Sequence, residues 1–174
     1  MRRWLLWGLV LLVLSGTASR PTRAMPAPGV PEEGPDIQAI GTTPTPPPKL
    51  TGRWIEVSLL EQIVRLHDGQ QVIGEYLAAT GVGDTPDTTT YPGLFSVYQK
   101  HEGPMYLRAY GVYVTHWVGF DPEHDNGFHS LPMDAKGRVV DTRLGQPVSH
   151  GCIRLIFPET VFRFATFGMQ VWIH

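Results

Sequence analysis

Cysteine is nearly absent from this sequence: Cys152 is the only one in 174 residues. An intramolecular disulfide is therefore excluded, and any framework built on disulfides with it. No charge sign dominates. The 14 Lys and Arg stand against 16 Asp and Glu, a net charge of −2, so no basic excess points to nucleic acid. Long apolar runs are missing too. "WLLWGLVLLVL", from Trp4 to Leu14, is about half of the roughly 20 residues a bilayer-spanning helix needs. No internal repeat or collagenous period occurs. What is plentiful is glycine, 19 residues, and proline, 16, beside 42% hydrophobic residues. That mixture suits a packed core with frequent turns and favours strands over a helical bundle.

The N-terminus has a clear order. Arg2 and Arg3 precede the apolar run, and small residues, "SGTAS", follow it. Basic, apolar, small is the layout of a secretory signal, so residues 1–19 are expected to be a signal peptide and the protein to be exported. An uncleaved anchor extended through Ala18 is the alternative. No cysteine follows the run, which excludes a lipidated start. From Pro21 to Pro48 lie nine of the sixteen prolines, with little periodic apolar pattern. Residues 20–49 accordingly read as an extended, disordered spacer. Order is expected from residue 50 to residue 174.

Within that stretch the patterning is mostly β. "RWIEVSL" (53–59) alternates, with Trp54, Glu56 and Ser58 on one side and Ile55, Val57 and Leu59 on the other. Two strands joined at Asp68-Gly69 follow. A Gly/Thr/Pro-rich loop (80–93), strands at 94–100 and 111–118, and a polar loop over Gly119–His129 come next. "GCIRLIF" (151–157) reads as a short apolar strand. After Pro158 the spacing of Val161, Phe162, Ala165 and Phe167 predicts one short helix ending at Gly168, and "QVWIH" closes as a strand.

A thiol is nucleophilic as thiolate, and at a free pKa of about 8.5 only a few per cent is ionised near neutrality. A catalytic Cys152 therefore needs a histidine in space. Of the seven, His67 beside a turn and His174 at the terminus are expected to face solvent. His150 is two residues from Cys152 on an extended segment, a poor geometry for an ion pair. His129, in "GFHSLP", can approach from a facing strand and is the preferred base. A lone cysteine is more often an inert small hydrophobe. Gly151, which lets backbone approach a ligand, and the exported setting weigh against that.

"GFHSLP" followed by "SHGCIRL" resembles the signature of the L,D-transpeptidase catalytic domain, the YkuD-type family. The match is His129-Ser130, then Ser149-His150-Gly151-Cys152, with Arg154 and Leu155 after it. Upstream, "TYPGLF" is similar to an altered form of the family's Thr-Pro-x-Gly-x-Phe segment. The similarity runs over about residues 50–174. It implies a β-sandwich with one short C-terminal helix, and an enzyme needing no cofactor or metal. Cys152 would attack a peptidoglycan stem peptide and form a thioester, with His129 as base and the Ser130 carbonyl orienting it. Ser149, His150, Gly151 and Arg154 would shape the substrate site, Arg154 either meeting a stem carboxylate or bracing the fold.

The same resemblance implies peptidoglycan stem peptides as partners; the N-terminal layout implies export to the cell envelope with membrane contact only through the signal or anchor, and a monomer is expected. Two departures stand out. The gap between His129 and Ser149 is long, with an inserted hairpin expected in 133–147 near Lys136-Gly137, and residues 98–128 read as a lid. Other readings are a non-catalytic wall-binding module, an L,D-carboxypeptidase with water as acceptor, a sortase-like enzyme, and a metal hydrolase. The last would use His116, Asp121, His124, Asp125 and His129.

Overall fold

A computed structural model describes residues 49–174; the expected signal peptide and nearly all of the expected spacer lie outside the described residues. The first three strands are β1 (Arg53–Ser58), β2 (Ile63–Asp68) and β3 (Gln71–Ala79). Then come β4 (Gly93–Ser96), β5 (Gln99–His101), β6 (Met105–Leu107), β7 (Val112–Val114), β8 (Trp117–Asp121) and β9 (Asn126–Ser130). The chain closes with β10 (Ile153–Leu155), the helix α1 (Pro158–Phe164) and β11 (Gln170–Ile173). Nine strands form one sheet in the order β4-β11-β1-β2-β3-β10-β9-β8-β5, and β6 pairs with β7 apart from it.

That order makes the sheet curl. Its two outermost strands, β4 and β5, are separated by only Val97 and Tyr98. Val97 bonds the Met169 carbonyl, behind β11, while the Tyr98 amide bonds Gly119 on β8. The chain thus crosses from one half of the sheet to the other in two residues, and the halves face each other as a sandwich. Ile55, Val57, Val64, Leu66, Val171 and Ile173 meet Val118, Phe120, Phe128, Ile153 and Leu155 across the interior. Phe95 packs edge-on to Phe120 at 5.6 Å. Each such side chain, fully buried, stabilises the fold by about 1.5–3 kcal/mol relative to exposure.

The alternation expected for β1 is present: Ile55 and Val57 enter this core, and Trp54 packs outside with Leu50 and Trp172. The helix starts with Pro158 at its first turn, where the missing N–H costs nothing. It stops at Phe164 rather than near Gly168 because Ala165 is extended (ψ 135°) and Lys100 Nζ donates to its carbonyl at 2.6 Å. Residues 168 and 169 are then free to pair with Val97.

Three further expectations are corrected. The polar loop over Gly119–His129 is instead the end of β8, a turn, and β9, and both strands are buried along their whole length. Its polar residues mislead because they are paired internally, and Gly119 and Gly127 sit opposite each other where a Cβ would strike Tyr98 and Trp117. The single strands expected at 94–100 and 111–118 are each broken, the first at the Val97–Tyr98 crossing, the second where His116 takes a left-handed φ of 56°. Of the lid expected at 98–128, only the β6–β7 hairpin and its flanks stand outside the main sheet. In the inserted stretch the turn does fall at Lys136-Gly137, closed by the Gly137 amide on the Asp134 carbonyl, but it carries only a single bridge, Met133 to Val139.

Candidate active site

β10 runs parallel to β9 with Ile153 beside Phe128 and Arg154 beside His129. The two motifs, 19 residues apart in sequence, are therefore brought to neighbouring strands. Cys152 sits just before β10, half-buried, its Sγ 3.8 Å from the Asp125 carbonyl in the β8–β9 turn. His129 is 4% exposed, stacked parallel to Trp117 at 6.0 Å, with Nδ1 donating to the Ser130 carbonyl at 2.5 Å. That bond fixes the tautomer and leaves Nε2 as the reactive edge. Ser130 Oγ meanwhile accepts the Thr115 amide at 3.0 Å and donates to the Leu131 carbonyl, which locks the strand end.

Burial pushes the His129 imidazole down to about 4; the bond to Ser130 opposes this and the Arg154 charge adds to it. Burial likewise pushes the Cys152 thiol up to about 11, against the Gly127 amide and Arg154, with Asp125 and Asp121 reinforcing the rise. Both shifts favour a neutral thiol and a neutral imidazole over an ion pair.

The residues around the thiol divide into supports and walls. Ser149 is 2% exposed; its Oγ donates to the Cys152 carbonyl at 2.5 Å and accepts the Gly151 amide at 3.2 Å, so it holds the turn that presents the thiol. Gly151 has φ +109°, and a Cβ there would lie 2.3 Å from Asn126 Oδ1; no other residue fits. Its carbonyl accepts Thr90 Oγ1 at 2.6 Å, and Thr90 Oγ1 also accepts the Gly81 amide at 2.8 Å. Arg154 donates to Asp141 Oδ2 at 2.6 Å with its side chain 11% exposed, so it is braced. Arg143 shares Asp141 at 2.8 Å, and the two guanidiniums, Arg143 foremost, hold that carboxyl well below the usual range.

His150 is exposed and stacks on Tyr110 at 4.5 Å. Two cavities meet at this stack. A larger one of about 650 Å³ is lined by Cys152, Asn126, His124, Trp117 and the β6–β7 hairpin. A smaller one of about 260 Å³ is lined by Cys152, His129, Ser149, Asp141, Arg143 and Arg154. Tyr110, Leu107, His150 and Cys152 line both. The histidines considered as metal ligands go separate ways: His116 packs edge-on to Phe162 at 5.5 Å, His124 pairs with Asp121, and His129 binds Ser130.

Asn126, Thr90, Tyr110 and Asp141 were not singled out from sequence. Asn126 lies in the stretch that reads as a polar loop, and Asp141 in the inserted stretch expected to form a hairpin. Thr90 opens "TYPGLF", and that resemblance was the one available signal. His67, expected at the surface, is 6% exposed, stacked on Trp54 at 3.7 Å with Nε2 2.7 Å from Glu56.

Comparison with known proteins agrees with this geometry. The family model described as the L,D-transpeptidase catalytic domain, YkuD, matches residues 52–173. YciB of Bacillus subtilis (strain 168), which carries an L,D-transpeptidase name, is 31% identical over 109 residues, 61% of this chain and 56% of that protein. The chain thus spans little more than half the length of that relative. The L,D-transpeptidase (Yku) of Stackebrandtia nassauensis shares the fold with a TM-score of 0.56 at 22% identity, over 71% of this chain and 56% of that one. The LD transpeptidase LdtMt1, solved in complex with imipenem, gives a TM-score of 0.54 at 19% identity, over 71% and 59%. With most of its folded length matched and the curled sheet in common, this chain belongs to the YkuD family of L,D-transpeptidase catalytic domains.

Proposed function

We propose that this protein is a cysteine L,D-transpeptidase that acts on peptidoglycan stem peptides through a thioester at Cys152. The observation that carries the reading is that Cys152, just before β10, and His129, on the neighbouring β9, open on the same smaller cavity. The thiol attacks the carbonyl between the L-centre and the terminal D-amino acid, the C–N bond breaks, and the D-amino acid leaves. Burial shifts both groups towards their neutral forms, which disfavours proton transfer ahead of attack. His129 therefore takes the proton as the C–S bond forms and delivers it to the leaving nitrogen. The Gly151 N–H is committed to Ser149, so the developing oxyanion falls to the Cys152 N–H and its surroundings. Arg143, on the rim of the smaller cavity, receives a stem carboxylate, while Arg154 braces from behind. The basic–apolar–small N-terminus supports export and work in the cell envelope.

A carbapenem tests this, since LdtMt1 is known in complex with imipenem. Incubated with imipenem, the wild-type protein gains the mass of one adduct, and Cys152→Ala gains none. A wild-type protein whose mass does not change would overturn the reading.

A further inference from the structure

Gly151 and Cys152, which present the thiol, carry between them two backbone N–H groups and two carbonyls, and all but one are taken. The Gly151 N–H and the Cys152 carbonyl both go to Ser149 Oγ, at 3.2 and 2.5 Å. The Gly151 carbonyl accepts from Thr90 Oγ1 at 2.6 Å. The remaining group, the Cys152 N–H, has no protein partner among the described residues.

Which way that N–H points is set from the other end of its own peptide. No peptide bond among the described residues is cis. In a planar trans peptide the carbonyl and the N–H point in opposite directions. Thr90 is 5% exposed and its bond to the Gly151 carbonyl is buried, so that carbonyl points inward. The Cys152 N–H accordingly points outward, on the half-buried residue that lines both cavities.

The Thr90 hydroxyl is not free to release the carbonyl. It has a single proton, and the Gly81 amide donates to its oxygen at 2.8 Å, so the proton is left for Gly151. The loop that carries Gly81 and Thr90 is also tied to the turn that carries the thiol. The Thr80 carbonyl accepts the Val148 and Ser149 amides, both at 2.9 Å, and the Val82 amide returns a bond to the Ser149 carbonyl at 3.1 Å. Asn126 Nδ2 donates to the Thr89 carbonyl at 3.1 Å, one residue from the hydroxyl. Gly81 backs directly on Gly151, since a Cβ on it would lie 2.9 Å from Gly151 Cα.

We propose that Thr90 is a positioning residue for the reaction, its hydroxyl turning the Gly151–Cys152 peptide so that the Cys152 N–H faces the carbonyl under attack. This rests on the cysteine reading above. As the C–S bond forms, the carbonyl π pair moves onto oxygen, and a donor on the nucleophile's own residue is already aimed at it. The pair returns as the C–N bond breaks and the nitrogen takes the proton carried by His129. Thr90 acts through the peptide and not on the substrate. It denies the peptide the flipped orientation, in which a carbonyl oxygen would face the oxyanion.

The test compares acylation with alkylation of the same thiol. Imipenem acylates through an oxyanion, whereas iodoacetamide is attacked at a tetrahedral carbon, loses iodide and forms none. Thr90→Val keeps the shape and removes the proton. It is expected to slow imipenem adduct formation about 30-fold, less than the roughly 10²–10³ lost with an oxyanion donor itself, and to leave alkylation within about twofold of wild type. Thr90→Ser, which keeps the hydroxyl, is expected to restore acylation to within about threefold. With only its cysteine nitrogen labelled, the protein shows one amide peak by NMR, that of Cys152. That proton is expected to move downfield on acylation in the wild type and in Thr90→Ser, and to stay in place in Thr90→Val. Equal slowing of acylation and alkylation in Thr90→Val, or acylation within about twofold of wild type, would overturn the proposal. So would a wild-type amide that does not move on acylation, whatever the variants do. A wild-type protein that is alkylated but gains no imipenem adduct would instead remove the cysteine reading, and the proposal with it.

Discussion

The two halves of the curled sheet both stack histidines on aromatic rings, and only one half turns them into a site. In the half built from β1, β2 and β11, His67 lies on Trp54 at 3.7 Å and His174 on Trp172 at 4.0 Å. Both spend Nε2 on one carboxylate, Glu56, at 2.7 and 3.1 Å, which also takes Arg65 at 3.1 Å. In the half built from β8, β9 and β10, His129 lies parallel to Trp117 and gives Nδ1 to a carbonyl, leaving the other edge on a cavity that holds the thiol. Residue type and stacking are shared, and His67 is about as buried as His129. The difference is whether the second nitrogen faces protein or open space, and that separates a brace from the base we propose.

The sharpest way to break this comparison is to make the same change in both halves. His129→Gln is expected to slow imipenem adduct formation by about 10²–10⁴, followed by intact mass, while His67→Gln stays within about twofold. Chemical denaturation should rank them the other way, because His67→Gln disturbs the Glu56 cluster. Comparable rate losses in both variants would erase the distinction.

A smaller effect comes from paired glycines. Gly69, in the β2–β3 turn at φ +58°, has nothing within 4 Å of a Cβ, so Gly69→Ala should cost about 1–2 kcal/mol for the backbone alone. Gly151→Ala adds a Cβ clash with the buried Asn126 to a similar strain and should cost about 3 kcal/mol or more, with adduct formation lost as well. Equal costs in urea denaturation would mean that Asn126 moves aside freely.

The smallest effect is the pH range in which each half weakens. His129 titrates near 4 folded against 6.5 in the unfolded chain. Between those values the unfolded chain binds a proton that the folded protein refuses, so stability falls as pH drops from about 6.5 towards 4. Burial would raise Glu56, but His174, His67 and Arg65 together lower it, so its contribution is present above 4.5 and is lost only below that. Melting temperatures from pH 7 to 3 should show both ranges, and His129→Gln should flatten the upper one. An unchanged slope there would mean that another group carries it.

The legibility of the sequence follows the same division. β1, β2 and β3 alternate or turn on Asp68-Gly69, and such local patterns announce themselves. β8 and β9 do not, because they are buried throughout and carry polar residues: Asp121 holds His124, His129 holds the Ser130 carbonyl, and Asn126 reaches the Thr89 carbonyl. Hydrophobic periodicity has no means of marking a polar residue that is buried together with its hydrogen-bond partner. His67 was misread for a related reason: position beside a turn says nothing about the Trp54 ring above it. The motif residues His129 and Cys152 were visible because of their local neighbours. Thr90 on the Gly151 carbonyl and Asp141 on Arg154 were hidden, since each contact exists only after folding.

The two-residue crossing at Val97 and Tyr98 has a consequence for timing. It can form on the β11 side only when Gly168 and Met169 are available, and β4 and β1 pair only with β11 between them. Ile55 finds its register partner at Val171, across nearly the whole length of the described chain. While the chain is being made, β1 and β4 therefore wait as unsatisfied edges until β11, the latest of the described strands, exists. The half that holds Cys152 and His129 can gather its strands sooner, but the sandwich that buries its core closes only with residues 170–173 in place.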